Sequence, residues 1–298
     1  MAAKAGVFRL ACLAACALLA AGCLSAPGAG SPVATPPSPS APARTPRAFV
    51  TPSPARPRLD AAAAPTPTAV PDVTYRVPIL MYHRIVPATE AGNSLASMWI
   101  EPGLFRAQLT KLHDAGWTSI TLAQLASAMR AGKRVPARTF AITIDDGWAD
   151  GYSYAFPIMR DLRYRATYFV ITNRIGESGF LSAPQLLDLE AAGDEIGNHT
   201  RDHADLTTLD FQHVERDIDG GADALERVLG HRPVSFAYPK AGVAPYVIDA
   251  ASACPGLQIA VTTMPGSTES WRARFELPRL RVDSTVSAAA LLAELERA

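Results

Sequence analysis

The sequence predicts an α/β protein, a distorted barrel of seven or eight β/α units that follows a long segment without regular structure. Short apolar strands alternate with amphipathic helices from residue 77 to the carboxyl terminus. Polar and charged residues come directly after several of these strands, where barrel proteins place their sites. Residues 26–72, by contrast, consist largely of Pro, Ala, Ser and Thr and lack the apolar periodicity of a core-forming segment.

The first 22 residues have the composition of an export signal. Lys4 and Arg9 precede an apolar run at 10–21, which is shorter than the roughly 20 residues that span a bilayer as a helix. The run closes on L-A-A-G-C at 19–23, which resembles the lipobox of bacterial lipoproteins and implies cleavage before Cys23 and its lipidation. The alternative is a secreted protein that is cleaved nearby.

We therefore expect three regions in this chain. They are a lipoprotein signal peptide at 1–22, a lipidated Cys23 with a disordered Pro-rich linker at 23–72, and a catalytic domain at 73–298. The lipid would anchor the domain to a membrane of the bacterial cell envelope, facing the periplasm or the exterior. The linker would hold the domain away from that membrane.

The cysteine content and the net charge indicate how the domain is stabilised and which class of partner is not expected. Cys254 is the sole cysteine in the sequence from 73 to 298, so the domain has no internal disulfide and depends on its apolar core. The chain has 28 basic and 28 acidic residues. This balance gives no indication of binding to nucleic acid.

The elements follow from local patterns, taken in chain order. Runs rich in β-branched and aromatic residues predict strands at 77–82, 117–120, 139–144, 165–171, 194–198, 234–238, 257–261 and 280–282. Apolar residues at helical spacing predict helices at 105–115, 121–129, 152–162, 182–192, 210–229, 246–253 and around 291–295. Pro157 is expected to kink or break its helix, and the Gly220–Gly221 pair to bend the long helix.

The strand at 139–144 ends in two adjacent acids, Asp145 and Asp146, followed by Gly147. Adjacent side chains on a strand point to opposite faces, so both carboxylates reach one ligand only where the chain turns, which Gly147 permits. One acid could then bind a metal while the other stays free as a base. Alternatively, the two acids are ordinary turn and helix N-cap residues.

His199 and His203 follow another strand and are four residues apart, a spacing that places both on one side of a helical turn. Two imidazoles and one carboxylate make a three-ligand site like that of catalytic zinc, in which water fills the fourth position. The same ligand types serve non-haem iron oxygenases, and a solvated histidine pair without metal is a further alternative. Convergence at the carboxyl ends of barrel strands favours the metal site.

Several motifs resemble those of one family. I-D-D-G at 144–147, H-T-R-D-H at 199–203 and F-A-Y-P-K-A-G at 236–242 resemble the signature motifs of the polysaccharide deacetylases, the fourth family of carbohydrate esterases, in the same order. P-I-L-M-Y-H at 78–83 and P-R-L-R-V at 278–282 further resemble the branch that acts on biofilm exopolysaccharides. The resemblance covers about residues 78–282 and implies a deacetylase barrel.

The resemblance implies an enzyme that removes acetyl groups from an N-acetylated polysaccharide. Among the possible polymers it favours poly-β-1,6-N-acetylglucosamine. Peptidoglycan and chitooligosaccharides are the alternative substrates. The non-catalytic alternative is a lipoprotein that only binds glycan.

The resemblance also implies roles for single residues. Asp146, His199 and His203 would hold a divalent metal. The expected metal is Zn²⁺, and Co²⁺, Ni²⁺ and Fe²⁺ are the alternatives. Asp145 would be the general base for the attacking water, and His83 the acid that protonates the leaving amine. We expect Asp145 to stay ionised and His83 to stay protonated.

Two positions depart from the family pattern. Ala237 stands where most members have an arginine that pairs with the base, and we hypothesise that Arg165 supplies this charge. Lys240 replaces a tyrosine, and the turn at 239–240 is expected to offer a backbone N–H to the oxyanion. The residues predicted to contact the sugar are Trp148, Tyr238 and Pro239.

Overall fold

The computed structural model describes residues 73–298. The predicted signal peptide at 1–22, the lipidation site Cys23 and the linker at 23–72 lie outside these residues. No helix within 73–298 is both long enough and apolar enough to cross a membrane.

The strands are β1 (Thr74–Arg76), β2 (Ile79–Tyr82), β3 (Arg84–Ile85), β4 (Trp99–Ile100), β5 (Thr118–Ile120), β6 (Thr139–Ile144), β7 (Thr167–Val170), β8 (Glu195–Asn198), β9 (Ser235–Ala237), β10 (Ile259–Val261), β11 (Thr268–Ser270) and β12 (Leu280–Arg281). The α-helices are α1 (Pro102–Asp114), α2 (Leu122–Arg130), α3 (Phe156–Asp161), α4 (Ala183–Ala191), α5 (Phe211–Leu229), α6 (Pro245–Ala253) and α7 (Ala288–Arg297). Strands and helices alternate through most of the chain, as predicted.

Eight strands form one parallel sheet that curls into a half-barrel. Its order is β10-β9-β8-β7-β6-β2-β12, with β5 paired to the first half of β6. Leu277 lies beside β10, where its N–H donates to the Ala260 carbonyl at 3.0 Å and its carbonyl accepts from the Thr262 N–H at 2.8 Å. The segment that leads into β12 therefore approaches the opposite edge of the sheet, which confirms the predicted distorted barrel.

The register of the central strands brings their carboxyl ends to one level. Tyr82 of β2 pairs with Ile144 of β6, and Ile144 pairs with Tyr168 of β7. The residue after β2 and the residue after β6 therefore leave the sheet side by side. Because parallel strands share one direction, the loops at this edge meet around a common space.

Two expectations concern interruptions of helices. The segment predicted as one helix with a kink or break at Pro157 consists of a π-helical turn, Gly151–Ala155, followed directly by α3, so the hydrogen-bonding pattern changes just before Pro157 but the helical backbone does not break there. The interruption predicted at Gly220–Gly221, a bend or a break, is not a break, because α5 is continuous through both glycines and ends at Leu229. Gly221 instead allows close packing, since a Cβ there would lie 2.4 Å from the side-chain oxygen of Asn198.

Candidate active site

The paired acids lie where β6 stops. Every residue of β6 is buried, and the Asp145 N–H still donates to the Tyr82 carbonyl at 2.9 Å. Asp146 then takes a left-handed backbone conformation with φ 74°, and Gly147 follows with φ 75°. This change of direction brings both carboxylates to the wall of one cavity. A side chain at Gly147 would also press on Val170, with a Cβ 3.2 Å from its Cγ1.

The two histidines belong to the loop after β8. The prediction that a helical turn brings them together is wrong, because Thr200 and His203 have φ values of 62° and 56° and the segment is irregular. Asp217 of α5 holds this loop in place by accepting a hydrogen bond from the Arg201 N–H at 3.0 Å. The loop with the two histidines is therefore held by its hydrogen bond to α5 and not by the helical turn that their spacing suggested.

His199, His203 and Asp146 form a convergent donor set. The Nε2 atoms of His199 and His203 lie 3.4 and 3.3 Å from the same oxygen, Asp146 Oδ1. His199 Nδ1 lies 2.8 Å from the Ala237 carbonyl, which fixes this nitrogen as the donor and leaves Nε2 with a free lone pair. One donor atom from each of the three residues lies within 4.8 Å of the others. This set fits a divalent metal with an open coordination position.

The charge of Asp146 suits this role. Burial alone would raise the pKa of its carboxyl group, but the adjacent imidazoles of His199 and His203 hold the pKa well below its ordinary value. The carboxyl group is therefore ionised, which is the form that binds a cation.

Arg279 is the site residue that the sequence analysis missed. Its side chain is buried, and its Nη1 and Nη2 donate to Asp145 Oδ1 and Oδ2 at 2.7 and 2.8 Å. Its Nε donates to the Thr262 carbonyl at 2.8 Å, which fixes the guanidinium plane. Burial alone would raise the pKa of Asp145, but the charge and hydrogen bonds of Arg279 lower it. Asp145 is therefore an ionised carboxylate outside the convergent donor set, as expected.

The hypothesis that Arg165 pairs with Asp145 is wrong. Arg165 precedes β7 and so lies at the amino end of the sheet, whereas Asp145 lies at the carboxyl end. Its Nη1 donates to the Tyr164 carbonyl at 2.9 Å. The P-R-L-R-V motif at 278–282 contained the residue that does pair with Asp145, but nothing local to that motif indicates its partner.

His83 lies on the other side of Asp145. Its Nε2 is 3.9 Å from Asp145 Oδ2, as the register of β2 and β6 requires. Burial lowers the pKa of His83 and outweighs the opposing attraction of Asp145 and Asp146. The expectation that the imidazole is held protonated is therefore not met. A lowered pKa instead makes the protonated form a stronger acid.

These side chains line a cavity of about 300 Å³ at the carboxyl ends of the strands. Its wall also includes Met98, Lys240, Thr263 and Arg281. Lys240 and the following Ala241 have φ values of 53° and 59°, a backbone conformation that is rare for residues other than glycine. Strained backbone of this kind clusters at functional sites.

The sequence model of one family, described as polysaccharide deacetylase, matches residues 132–258. This match includes Asp145, Asp146, His199 and His203, the residues that the structure brings together. This part of the chain is a polysaccharide deacetylase domain. Polysaccharide deacetylases are metal-dependent hydrolases that act on carbon–nitrogen bonds other than peptide bonds, so hydrolysis replaces the oxygenase alternative.

Individual relatives agree with this assignment. The Bacillus subtilis protein YxkH, named as a polysaccharide deacetylase, is 29% identical over 221 residues, which are 74% of this chain and 76% of YxkH. The Streptococcus pyogenes deacetylase PplD, solved in complex with acetate, is 25% identical with a TM-score of 0.69, covering 75% of this chain and 99% of PplD. The Escherichia coli poly-β-1,6-N-acetyl-D-glucosamine N-deacetylase is 30% identical over 71 residues, which are 24% of this chain and 11% of that protein.

The side chains predicted to contact sugar have other partners in this deacetylase. Tyr238 lines the cavity, but its side chain is buried and its hydroxyl donates to the Phe275 carbonyl at 2.9 Å, so its sugar contact stays a prediction. Pro239 is buried, and its pyrrolidine ring offers no exposed face to a sugar. Trp148 is half-buried, stacks on Phe180 and donates its Nε1–H to Asp146, and its sugar contact stays a prediction.

Proposed function

We propose that this chain hydrolyses N-acetyl groups of a polysaccharide that contains N-acetylglucosamine. The polymer we propose first is poly-β-1,6-N-acetylglucosamine. The observation that carries the proposal is the contrast between two adjacent carboxylates. Asp146 faces two imidazoles, whereas Asp145 is paired with a buried arginine and lies beside His83. This contrast suits one metal ligand and one free base. The named activity of the Escherichia coli relative supports the choice of polymer.

The proposed metal is zinc, with Co²⁺, Ni²⁺ and Fe²⁺ as alternatives. Asp146, His199 and His203 would hold it, since zinc accepts carboxylate and imidazole donors. When bound, such a cation lowers the pKa of water and polarises an acyl oxygen.

Asp145 and His83 would divide the proton transfers between them. Asp145 accepts a proton from the water whose oxygen bonds to the acetamide carbon, and Arg279 holds both carboxylate oxygens during this step. The protonated form of His83, a stronger acid because burial lowers its pKa, gives its proton to the sugar nitrogen as the carbon–nitrogen bond breaks. The products are acetate and a free amine on the sugar. The turn at Lys240 would place a backbone N–H near the developing oxyanion.

One observation favours an alternative substrate, the N-acetylmuramic acid of peptidoglycan. Lys240 and Arg281 lie on the wall of the cavity and belong to different parts of the sheet, the loop after β9 and strand β12. Muramic acid has a carboxylate on its lactyl group, and two cations would attract it. Poly-N-acetylglucosamine has no such group.

We also propose that Cys23 is lipidated and tethers the domain to a membrane of the cell envelope through the linker at 23–72. A Cys23→Ser variant expressed in a bacterial host should move from the membrane fraction to the soluble fraction. Metabolic labelling with a fatty acid should mark the wild-type chain and leave this variant unlabelled. Labelling of both proteins would contradict the proposal.

The function is tested by measuring acetate release from three oligomers. These are N-acetylated glucosamine oligomers with β-1,6 linkages, the same with β-1,4 linkages, and an N-acetylmuramic acid oligomer, with an Asp145→Asn variant as the control. Release from the β-1,6 oligomer supports the polymer proposed first. Release from the muramic oligomer alone, reduced in Lys240→Ala and Arg281→Ala variants, supports the alternative substrate. The absence of acetate from every oligomer at saturating Zn²⁺ would overturn the proposal.

A further inference from the structure

The two oxygens of Asp146 have different partners. Oδ1 is the oxygen near the Nε2 atoms of His199 and His203. Oδ2 accepts a hydrogen bond from the Nε1–H of Trp148 at 3.1 Å. The metal ligand is thus held on one side by its co-ligands and on the other by an indole.

The indole itself is fixed in place. Its ring stacks on Phe180, with ring centroids 4.3 Å apart and an angle of 23° between the planes. The backbones of Trp148 and Phe180 also form an antiparallel bridge, flanked by the hydrogen bond from the Leu181 N–H to the Gly147 carbonyl at 2.9 Å. Because both its backbone and its ring are held, the indole N–H keeps one direction.

A cation restrains the ring as well. The guanidinium of Arg84 lies 4.7 Å from the centre of the Trp148 ring. Asp150 accepts a hydrogen bond from Arg84 Nε at 2.8 Å and another from the Ile85 N–H at 3.1 Å. The loop after β6 and strand β3 are therefore tied together around the indole.

We propose that Trp148 is a positioning residue that makes Asp146 bind its metal through Oδ1 alone. A carboxylate oxygen that accepts an N–H bond has a lone pair committed to that donor, so the carboxylate is restrained from chelating with both oxygens. Single-oxygen binding leaves coordination positions open for water and the acyl oxygen of the substrate. This inference rests on the metal site of the proposed function. It assigns Trp148 a role in metal binding that is separate from the predicted sugar contact.

The test is a Trp148→Phe variant, which keeps an aromatic ring against Phe180 and removes only the N–H donor. Zn²⁺ affinity is measured by competition with a chromogenic chelator, without substrate. We expect the dissociation constant to rise about 10- to 100-fold, the range typical for loss of a hydrogen bond to a metal ligand. The Co²⁺ form of the variant should absorb visible light more weakly than the wild type, because chelation by both oxygens raises the coordination number.

Trp117→Phe is the matched control. Trp117 is also largely buried, and its Nε1–H has no hydrogen-bond partner within residues 73–298. It lies beside the start of β5, at the opposite end of the sheet from the acids. Its loss should leave the Zn²⁺ affinity and the Co²⁺ spectrum unchanged.

The outcomes separate this inference from the proposed function. If the wild type does not bind Zn²⁺, the metal site and the proposed function both fail. If the wild type binds Zn²⁺ and Trp148→Phe binds it equally well with the same Co²⁺ spectrum, only the role of Trp148 is overturned. Should Trp148→Phe not fold, indole fluorescence of a protein with the substitutions Trp99→Phe, Trp117→Phe and Trp271→Phe, in which Trp148 is the one remaining tryptophan, decides. A change in emission on adding Zn²⁺ supports the proposal, and unchanged emission contradicts it.

Discussion

Arg279 holds Asp145 through two parallel hydrogen bonds, at 2.7 and 2.8 Å, although 134 residues separate them in the sequence. A planar guanidinium matches a carboxylate in this way, whereas a lysine ammonium is a point charge and cannot. The pair orients the proposed base and keeps it ionised. The first prediction concerns its loss.

Arg279→Lys should lower kcat/KM at neutral pH by about 10²-fold, as expected for a misplaced catalytic group. The lysine keeps a positive charge but loses the fork geometry, so the pKa of Asp145 should rise towards its ordinary value. Because the base acts when ionised, the acid limb of the pH profile should move to higher pH. The measurement is kcat/KM against pH on an acetylated glucosamine oligomer.

Arg165→Gln is the control for this experiment. Its side chain lies at the amino end of β7 and donates to the Tyr164 carbonyl, away from the acids. The variant should keep wild-type turnover and an unmoved acid limb. A shift in Arg165→Gln equal to that in Arg279→Lys would contradict the assignment of the ion pair.

The second prediction separates the two adjacent acids. Asp145→Asn should reduce kcat by about 10²- to 10⁴-fold, the usual contribution of a general base, while Zn²⁺ binding persists. Asp146→Asn should weaken Zn²⁺ binding itself. Isothermal titration of each variant with Zn²⁺, together with acetate release, checks both. Loss of Zn²⁺ binding in Asp145→Asn would show that the roles are assigned incorrectly.

Asp145→Asn also has a predicted cost in stability. It leaves the buried Arg279 without its counter-ion, and breaking a buried pair on one side destabilises by about 3–5 kcal/mol. The free energy of unfolding in urea measures this loss. The activity comparison is therefore made at a temperature where circular dichroism shows the variant to be folded.

The third prediction concerns packing behind the histidine loop. A Cβ on Gly221 would lie 2.4 Å from Asn198 Oδ1 and 2.9 Å from the Thr200 carbonyl carbon. Gly221→Ala should therefore displace the loop, lower the free energy of unfolding by about 1–3 kcal/mol and weaken Zn²⁺ binding. Urea denaturation and chelator competition measure the two effects.

Gly220 offers a matched control one residue away. A Cβ there would meet only the flexible side chain of Arg201, whose Cδ would lie at 3.3 Å and Cβ at 4.0 Å. Gly220→Ala should keep Zn²⁺ affinity and stabilise the helix by up to about 1 kcal/mol. Equal damage from both substitutions would indicate that helix geometry, and not contact with the loop, is responsible.

The fourth prediction is a pH dependence of stability from Glu269. This residue of β11 is buried, its Oε2 accepts from the Val77 N–H at 3.0 Å, and its Oε1 has no partner among the described residues. Burial raises its pKa from 4.5 to about 8. The folded state thus keeps a proton that the unfolded state releases, so this contribution is complete below about pH 4.5 and is lost as the pH rises through about 8.

Glu269→Gln should remove this contribution because glutamine imitates the protonated acid. Between about pH 6.5 and 8, the free energy of unfolding of the wild type should fall more steeply than that of the variant, by up to about 1.4 kcal/mol per pH unit. Asp194 is another buried carboxyl group, and burial raises its pKa to about 6. The pH range for the comparison lies above this pKa, so that the titration of Asp194 does not dominate it. Glu276→Gln, which changes an exposed glutamate, should behave as the wild type. Parallel curves for wild type and Glu269→Gln would refute the prediction.

Much of the site was predictable from local patterns. The run at 139–144 has the composition of a buried strand, and every residue of β6 is buried. His199 and His203 follow a strand and do converge on Asp146. These predictions succeed because strand periodicity is local and a parallel sheet collects all carboxyl ends at one edge.

Other predictions failed where the deciding contact was distant. The spacing of His199 and His203 suggested a helical turn, but Asp217 of α5 holds an irregular loop instead. Gly220 and Gly221 suggested a bend or a break, yet α5 is continuous through both and Gly221 serves close packing against Asn198. Composition alone cannot tell a glycine that bends a helix from one that admits a neighbour, because the difference lies in what packs there.

The sequence by itself determined the alternation of strands and helices, the acid pair at the end of β6 and the histidines that join it, since each depends on side-chain type and short-range spacing. The tertiary structure alone decided that Arg279, not Arg165, pairs with Asp145 and that Trp148 holds Asp146. Curling of the sheet sets which distant side chains meet. A buried carboxylate then takes whichever donor lies within hydrogen-bond distance, and no local pattern encodes that distance.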